Sequence, residues 1–253
     1  VVLVNLQSYT IIHYGKAYLL EAIEQVLPFV DLAHIIYTPT PSHGHSTLAR
    51  NPDTKEDIHK EIGSIRTNKF RVYEAEFSQE GQQRDWAVDL CKRNGADVVL
   101  VVDYDEIWPG KTLLWMMQRI KGDLGGARNW LVNMTHMWRS FNHVCRDNGW
   151  PVRFIDLTAD NNDTRYMDRE LGEVYHFGYA VTDDIMRYKW SIHGHKNDLR
   201  PNWFEEKWHN WQPGITDVHP TNDKDFWTPE PFDKILLPEV MRVHPYFNLD
   251  RVE

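Results

Sequence analysis

Cysteine is almost missing from this chain of 253 residues. Cys91 and Cys145 are the only two, too few for a disulfide framework or a zinc-ligand pattern, and a reducing compartment, the cytoplasm, is the expectation. No apolar run approaches the length of a membrane span, and no charged-then-apolar leader opens the sequence. The first residue is Val rather than Met, which leaves room for an upstream segment. Basic residues are outnumbered, 28 Lys and Arg against 37 Asp and Glu. The resulting net charge of -9 argues against a surface built to track a polyanion such as DNA. Internal repeats, low-complexity tracts and linker-like shifts of composition are missing too, so one domain over residues 1–253 is expected.

What the chain has in quantity is apolar and aromatic matter. A hydrophobic content of 42%, with 13% aromatic residues, can fill a sizeable core. Eleven tryptophans are many for one domain. Rings of that size are rarely all fully buried, and exposed ones stack on ligands, which points to a groove.

Up to residue 108 the pattern alternates strand and helix. Val1 to Leu6 is predicted as a first strand, with Gln7 and Tyr9 following at the edge where a nucleotide could sit. Leu19, Leu20, Ile23, Val26 and Leu27 recur at helical spacing before Pro28. Ala33 to Tyr37 reads as a second buried strand that stops at Thr38-Pro39, and the loop beyond carries His43 and His45 as solvated residues. Residues 53–65 suit a helix and Phe70 to Ala75 a third strand. Glu80 to Asn94 is a helix that shows Gln83, Ala87, Leu90 and Cys91 on one face and closes at Asn94-Gly95. This order implies right-handed crossovers and an α/β fold with a doubly wound, mostly parallel sheet flanked by helices.

Beyond Pro109 the rhythm becomes mixed. A helix over Thr112 to Ile120 is followed by strands at Trp130–Met134 and Val152–Ile155, then by an acid-rich loop from Ala159 to Glu173. Glu173 to Ala180 reads as half strand, half turn, and Thr182 caps a helix carrying Met186, Lys189 and Trp190. Lys189 reads as a solvated helix cation. Dense aromatics from Trp203 to Trp211 and frequent prolines thereafter suggest a tail that wraps the domain.

The organising stretch is Val98-Val99-Leu100-Val101-Val102 followed by Asp103-Tyr104-Asp105-Glu106 and the Pro109-Gly110 break. A run of apolar, mostly β-branched residues suits a strand covered on both faces. Its acids fall at the carboxyl end, where open α/β sheets bind ligands. In an extended segment Asp103 and Asp105 point the same way, so both can converge on one hard divalent cation that bridges to a substrate phosphate.

Three stretches together resemble the glycosyltransferases of the GT-A type, the nucleotide-sugar-dependent enzymes built on one doubly wound sheet. They are Gln83-Arg84-Asp85 ahead of the Gly95-to-Glu106 strand and acids, His176-Phe177-Gly178-Tyr179, and Met186-x-x-Lys189-Trp190 with His193 and His195 after it. The overlap covers residues 1 to about 195, and Asp85 stands where family members commonly carry Asn.

The resemblance implies a sugar transfer from a nucleoside-diphosphate sugar, a UDP-sugar by analogy, to a hydroxyl acceptor. It implies a nucleotide-binding half, 1–108, and an acceptor-binding, metal-completing half, 109–253. Asp103, Asp105 and His176 would hold Mn²⁺ or Mg²⁺, with His193 or His195 as substitutes for the imidazole. Gln7, Tyr9, Thr38, Arg84, Asp103 and Tyr104 would contact the donor. An inverting enzyme needs a carboxylate base, for which Glu170 and Asp184 are the candidates, with Asp168 and Glu173 near them. A glycan, lipid-linked sugar, protein side chain or modified nucleobase would each fit as acceptor. Two other readings stay open: a metal-dependent nucleotidyltransferase, and a non-catalytic sugar-binding module with a structural Ca²⁺.

Overall fold

The computed structural model describes residues 3–41, 47–146, 149–221 and 227–253; the His43 and His45 loop lies outside them. In chain order the first half contains β1 (Leu6–Ile12), α1 (Leu19–Val26), β2 (Leu32–Tyr37), α2 (Lys55–Ser64), β3 (Phe70–Glu74), α3 (Glu80–Arg93), β4 (Val98–Val101) and the two-residue β5 (Glu106–Ile107). The second half adds α4 (Gly110–Lys121), β6 (Asn129–Leu131), β7 (Met134–Trp138), β8 (His143–Arg146), β9 (Val152–Asp156), β10 (Thr164–Tyr166), β11 (Val174–Tyr179), α5 (Asp183–Ile192), β12 (Glu230–Pro231) and α6 (Glu239–Arg242).

Seven strands form a sheet in the order β10-β6-β9-β4-β1-β2-β3. It is mostly parallel, as expected: β1 pairs in parallel with β2 and β4, β2 with β3, and β6 with β10, while β9 runs against both of its neighbours. The alternation of β4 shows why it reads as an unbroken apolar run. Val98, Leu100 and Val102 pack into a core shared with α1, α2 and α4, and Val99 and Val101 face Ala87 and Cys91 of α3 on the other side. β1, β2 and β3 step outward in one direction, and α3 returns the chain so that β4 lies on the far side of β1. The carboxyl ends of β1 and β4 therefore flank a topological switch point, where such sheets leave a crevice.

The second sheet has the order β12-β8-β7-β11-β5. Its core is aromatic: Trp138, Phe141, Phe177, Trp203 and Trp208 are buried together with Met241 and Phe247 from the tail. Three rings, Trp86, Trp115 and Trp150, stay partly exposed. Trp108, Trp130, Trp138, Trp190, Trp203, Trp208, Trp211 and Trp227 are all buried, so eight of the eleven rings build the interior. The two halves also interleave more than a division at residue 108 implies, because β6, β9 and β10 complete the first sheet and β5 belongs to the second.

Three predicted elements shift. The first strand is Leu6–Ile12 rather than Val1–Leu6, because its polar residues are buried with partners. The Gln7 amide donates to the Asn94 carbonyl at 2.8 Å, and its oxygen pairs with His34 Nε2 at 2.9 Å. Trp130–Met134 divides into the end of β6 and the start of β7, which lie in different sheets. Within the expected loop after Ala159, β10 forms the edge strand beside β6.

Candidate functional site

The acids after β4 sit on a turn, not on an extended strand. Glu106 N donates to Asp103 O at 3.1 Å, and the chain then enters β5, so this turn is the joint between the two sheets. Asp103 and Asp105 consequently have different surroundings. Arg153, which projects from the antiparallel β9, donates from Nη2 to Asp103 Oδ2 at 2.6 Å. Arg84 of α3 brings its Nη1 within 3.7 Å of the other Asp103 oxygen. Burial alone would raise the Asp103 carboxyl, but the Arg153 and Arg84 guanidinium groups outweigh it and hold it below the usual range. Arg153 also holds Glu106, which is fully buried, through Nε at 2.9 and 3.0 Å and through Nη2. Burial pushes the Glu106 carboxyl up to about 8 against that opposing cation.

Asp105 faces the second sheet. β11 runs antiparallel to β5 with His176 opposite Glu106, and Phe177 N donates to Asp105 O at 2.7 Å. This pairing places His176 Nε2 3.5 Å from Asp105 Oδ2. Burial pushes Asp105 up to about 6. Burial, reinforced by nearby His136, Lys189 and Arg153, lowers His176 well below the ordinary imidazole value, so its ring is neutral. Gly178 is required beside them: a Cβ there would lie 2.5 Å from His176 Cε1 and 2.8 Å from Asp105 Oδ2.

Arg84, Asp103, Asp105 and His176 line one cavity of about 420 Å³ at the switch point, within the size range of small-molecule sites. Its cations are Arg84, anchored by Glu80 one turn earlier at 2.9 Å, and Lys189 of α5. Lys189 is not the solvated cation expected. Its Nζ donates to Gly178 O at 3.2 Å and lies 4.7 Å from the Tyr179 ring centre. Burial lowers its pKa, and Asp105 and Asp103 oppose that. Thr38, His13 and Tyr14 also line the cavity, with Tyr14 packed edge-on against Tyr104 at 5.6 Å. Gly15, at φ 84°, lets the Tyr104 ring lie against its backbone. Trp190, His193, His195 and Trp227 contribute further lining.

The structure thus gathers Thr38, Arg84, Asp103, Tyr104, Asp105 and His176 into one cavity, with His193 and His195 also on its lining, and separates Gln7, Tyr9, Glu170 and Asp184 from it. Gln7 lies inside β1 among its hydrogen-bond partners. Tyr9 is buried in β1, and the charge of Arg84 acts on its hydroxyl from nearby. Glu170 is exposed on a turn beside α4, ahead of β11. Asp184 is exposed in the first turn of α5, where a carboxylate complements the helix dipole. Among the described residues, the carboxylates lining the cavity are Glu80, Asp103 and Asp105, each already engaged. Arg153 and His136 escaped the sequence reading, whereas Lys189 was read there as a solvated cation. Arg153 and His136 act through fold contacts from distant elements, and no local motif marks them.

For a divalent cation the fit is partial. Asp105 and His176 present an oxygen and a neutral nitrogen at a separation close to the ~3 Å edge of an octahedron with ~2.1 Å bonds. Asp103 does not join them, because both its oxygens face guanidinium groups. Among the described residues no three His, Cys, Asp or Glu side chains converge as a metal cluster, so the chain offers a pair of ligands rather than three.

No family model matches the sequence, and a comparison with curated proteins gives no match. Among solved structures, the chain is similar to a protein from Desulfovibrio desulfuricans G20 described as a nucleotide-diphospho-sugar transferase. The identity is 11% and the TM-score 0.37, over 61% of this chain and 64% of that one. It is also similar to S. aureus TarS in complex with UDP, at 11% identity and TM-score 0.42, over 74% of this chain and 64% of that one. A CMP:2-keto-3-deoxy-manno-octonic acid synthetase complexed with CTP matches at 7% identity and TM-score 0.34, over 60% of this chain and 71% of that one. The chain spans less than two thirds of the length of the first two. The functional reading therefore rests on the cavity's own residues. No described helix is long and apolar enough to cross a membrane.

Proposed function

We propose that the cavity binds a nucleoside-diphosphate sugar and transfers its sugar to a hydroxyl acceptor, releasing the nucleoside diphosphate. UDP is the nucleotide to be tested first. The observation that carries this reading is the arrangement of Arg84, Lys189 and the Asp105–His176 pair around one space at the switch point of a parallel sheet. Two cations and a hard-cation pair in a polar crevice suit a diphosphate better than a neutral sugar alone.

In this reading Arg84 and Lys189 hold the diphosphate oxygens and meet the negative charge that grows as the glycosidic bond breaks. Asp103 and Glu80 keep the Arg84 guanidinium aimed into the cavity. Asp105 and His176 would hold Mn²⁺ or Mg²⁺, which would supply Lewis-acid stabilisation of the departing phosphates. The base and ribose lie toward Thr38 and Tyr14, and the sugar and acceptor enter between Trp190 and Trp227.

Incubation with a panel of nucleotide sugars and Mn²⁺ tests this, with the nucleotide products resolved by chromatography. Free nucleoside diphosphate is expected, and its formation should stop with EDTA. Release of sugar 1-phosphate, or of pyrophosphate once a nucleoside triphosphate and a sugar phosphate are supplied, would instead indicate nucleotidyl transfer. Binding of free sugars with no nucleotide dependence would indicate a sugar-binding module.

A further inference from the structure

The histidine that faces Asp105 has a histidine behind it. β7 and β11 run parallel, and His136 and His176 are direct partners in the register. Their rings meet edge to face at 4.9 Å between centres, and His136 Nδ1 lies 2.8 Å from His176 Nδ1. The ladder shifts register between His176 and Tyr179, a bulge containing Gly178 that re-aims the strand at this point. On its other side, the His136 ring is stacked on Trp227, at 4.6 Å and 27°.

A contact of 2.8 Å between two imidazole nitrogens requires one proton, and only one, between them. Two placements exist. If His136 donates, His176 must carry its own proton on Nε2, and that nitrogen is closed to a cation. If His176 donates from Nδ1, its Nε2 lone pair is bare and points at Asp105. Ligation through Nε2 is therefore possible only in the second placement, in which His136 is the acceptor.

We infer that His136 is a positioning residue: its Nδ1 accepts the His176 Nδ1 proton and so fixes the ring and the tautomer that present His176 Nε2 to a divalent cation shared with Asp105. This rests on the metal part of the function proposed above. A ligating histidine commonly has its second nitrogen bound to a carboxylate or carbonyl. Here an imidazole held flat against Trp227 does that work. His136 spends its Nδ1 on His176 and serves the cation through it.

The test is Mn²⁺ affinity, read by the EPR signal of free Mn²⁺, in wild type, His136→Phe, His136→Asn and His176→Ala. Phe retains the stacking on Trp227 but cannot accept a proton; the Asn side-chain oxygen falls near the position of Nδ1 and can. His136→Phe should weaken Mn²⁺ binding by about 10- to 100-fold, the usual effect of losing an outer-shell partner. His136→Asn should return to within a few-fold of wild type, and His176→Ala should lose the site. Thermal melts confirm that the variants are folded. If His136→Phe binds like wild type while His176→Ala does not, this inference is overturned and the metal reading survives. If His136→Asn is as weak as His136→Phe, the acceptor role is overturned in favour of simple packing. If His176→Ala binds Mn²⁺ like wild type, the metal reading falls, and this inference with it.

Discussion

Two aspartates separated by one residue are expected to respond oppositely to the same substitution. Asp103 is held below the usual carboxyl range by Arg153 and Arg84. Such a group contributes stability above its unfolded pKa, and that contribution fades as pH falls through the folded value. Asp105 is raised from 3.8 to about 6 by burial. Its effect has the other sign: stability is full below about pH 4, declines as pH climbs to 6 and stays reduced above. Without divalent cation at pH 7.5, Asp103→Asn should therefore destabilise the protein by roughly 1 to 3 kcal/mol, since two guanidinium groups each lose one of their carboxylate partners. Asp105→Asn should stabilise it by up to about 3 kcal/mol, a gain that vanishes near pH 4. Urea unfolding of both variants between pH 4 and 8 checks this. Equal effects would show that the two acids share one environment. Arg84→Ala should cost about 10- to 100-fold in kcat/KM for the nucleotide sugar, with steady-state kinetics dividing the loss between binding and turnover. An unchanged kcat/KM would return Arg84 to the class of surface charges.

At the scale of elements, the site depends on a joint. β4 ends, the acidic turn reverses the backbone, and the two residues of β5 pair with β11. That short antiparallel contact is what brings His176 to Asp105 across some 70 residues of sequence. Gly178 lies at the same place, where a methyl group would meet both the imidazole and the carboxylate. Gly178→Ala should push the pair apart and reduce Mn²⁺ affinity at least about tenfold. The fold should remain, because the overlap is with two side-chain ends at the cavity wall. EPR titration beside a thermal melt separates these effects, and unimpaired Mn²⁺ binding would show that the pair can yield without loss. α3 illustrates a different economy. Its inner face of Gln83, Ala87, Leu90 and Cys91 is buried, and Arg84, one residue from that face, reaches the cavity.

For the whole molecule, the cavity is walled by both sheets, so a ligand that fills it ties them together. A nucleoside diphosphate at a hundredfold excess over its Kd should add about 2.7 kcal/mol of stability, which for a domain of this size is a rise in Tm of roughly 5 to 10 °C. Mn²⁺ should enlarge the nucleotide's shift, and the nucleotide should tighten Mn²⁺ to the same degree, since coupling between two sites is reciprocal. A differential scanning fluorimetry matrix of nucleotide against Mn²⁺ measures both. Shifts that simply add, with no coupling, would separate the metal from the phosphate.

The sequence by itself determined the first half of the architecture. The period-2 and period-3.6 patterns of residues 16–108 are set by burial against neighbouring layers, so β2, β3, β4, α3 and the parallel sheet were legible from local spacing. Although the turn that carries the acids reads in sequence as extended chain, the acidic end of β4 was legible too, because a buried strand that stops in charge needs a reason to stop. The polar start of β1 was not: Gln7 and Ser8 look like an end until His34 and the Asn94 carbonyl are seen to satisfy the amide. Only the tertiary structure decided the roles within the site. Whether an aspartate faces a guanidinium or an imidazole depends on β9 and β11, which arrive some 50 and 70 residues later. No spacing along the chain encodes which of two acids a distant arginine will reach. The aromatic second half was unreadable for the same reason. Its tryptophans pack mainly on one another across strands, loops and the tail, and a ring's neighbour in space leaves no period in the sequence.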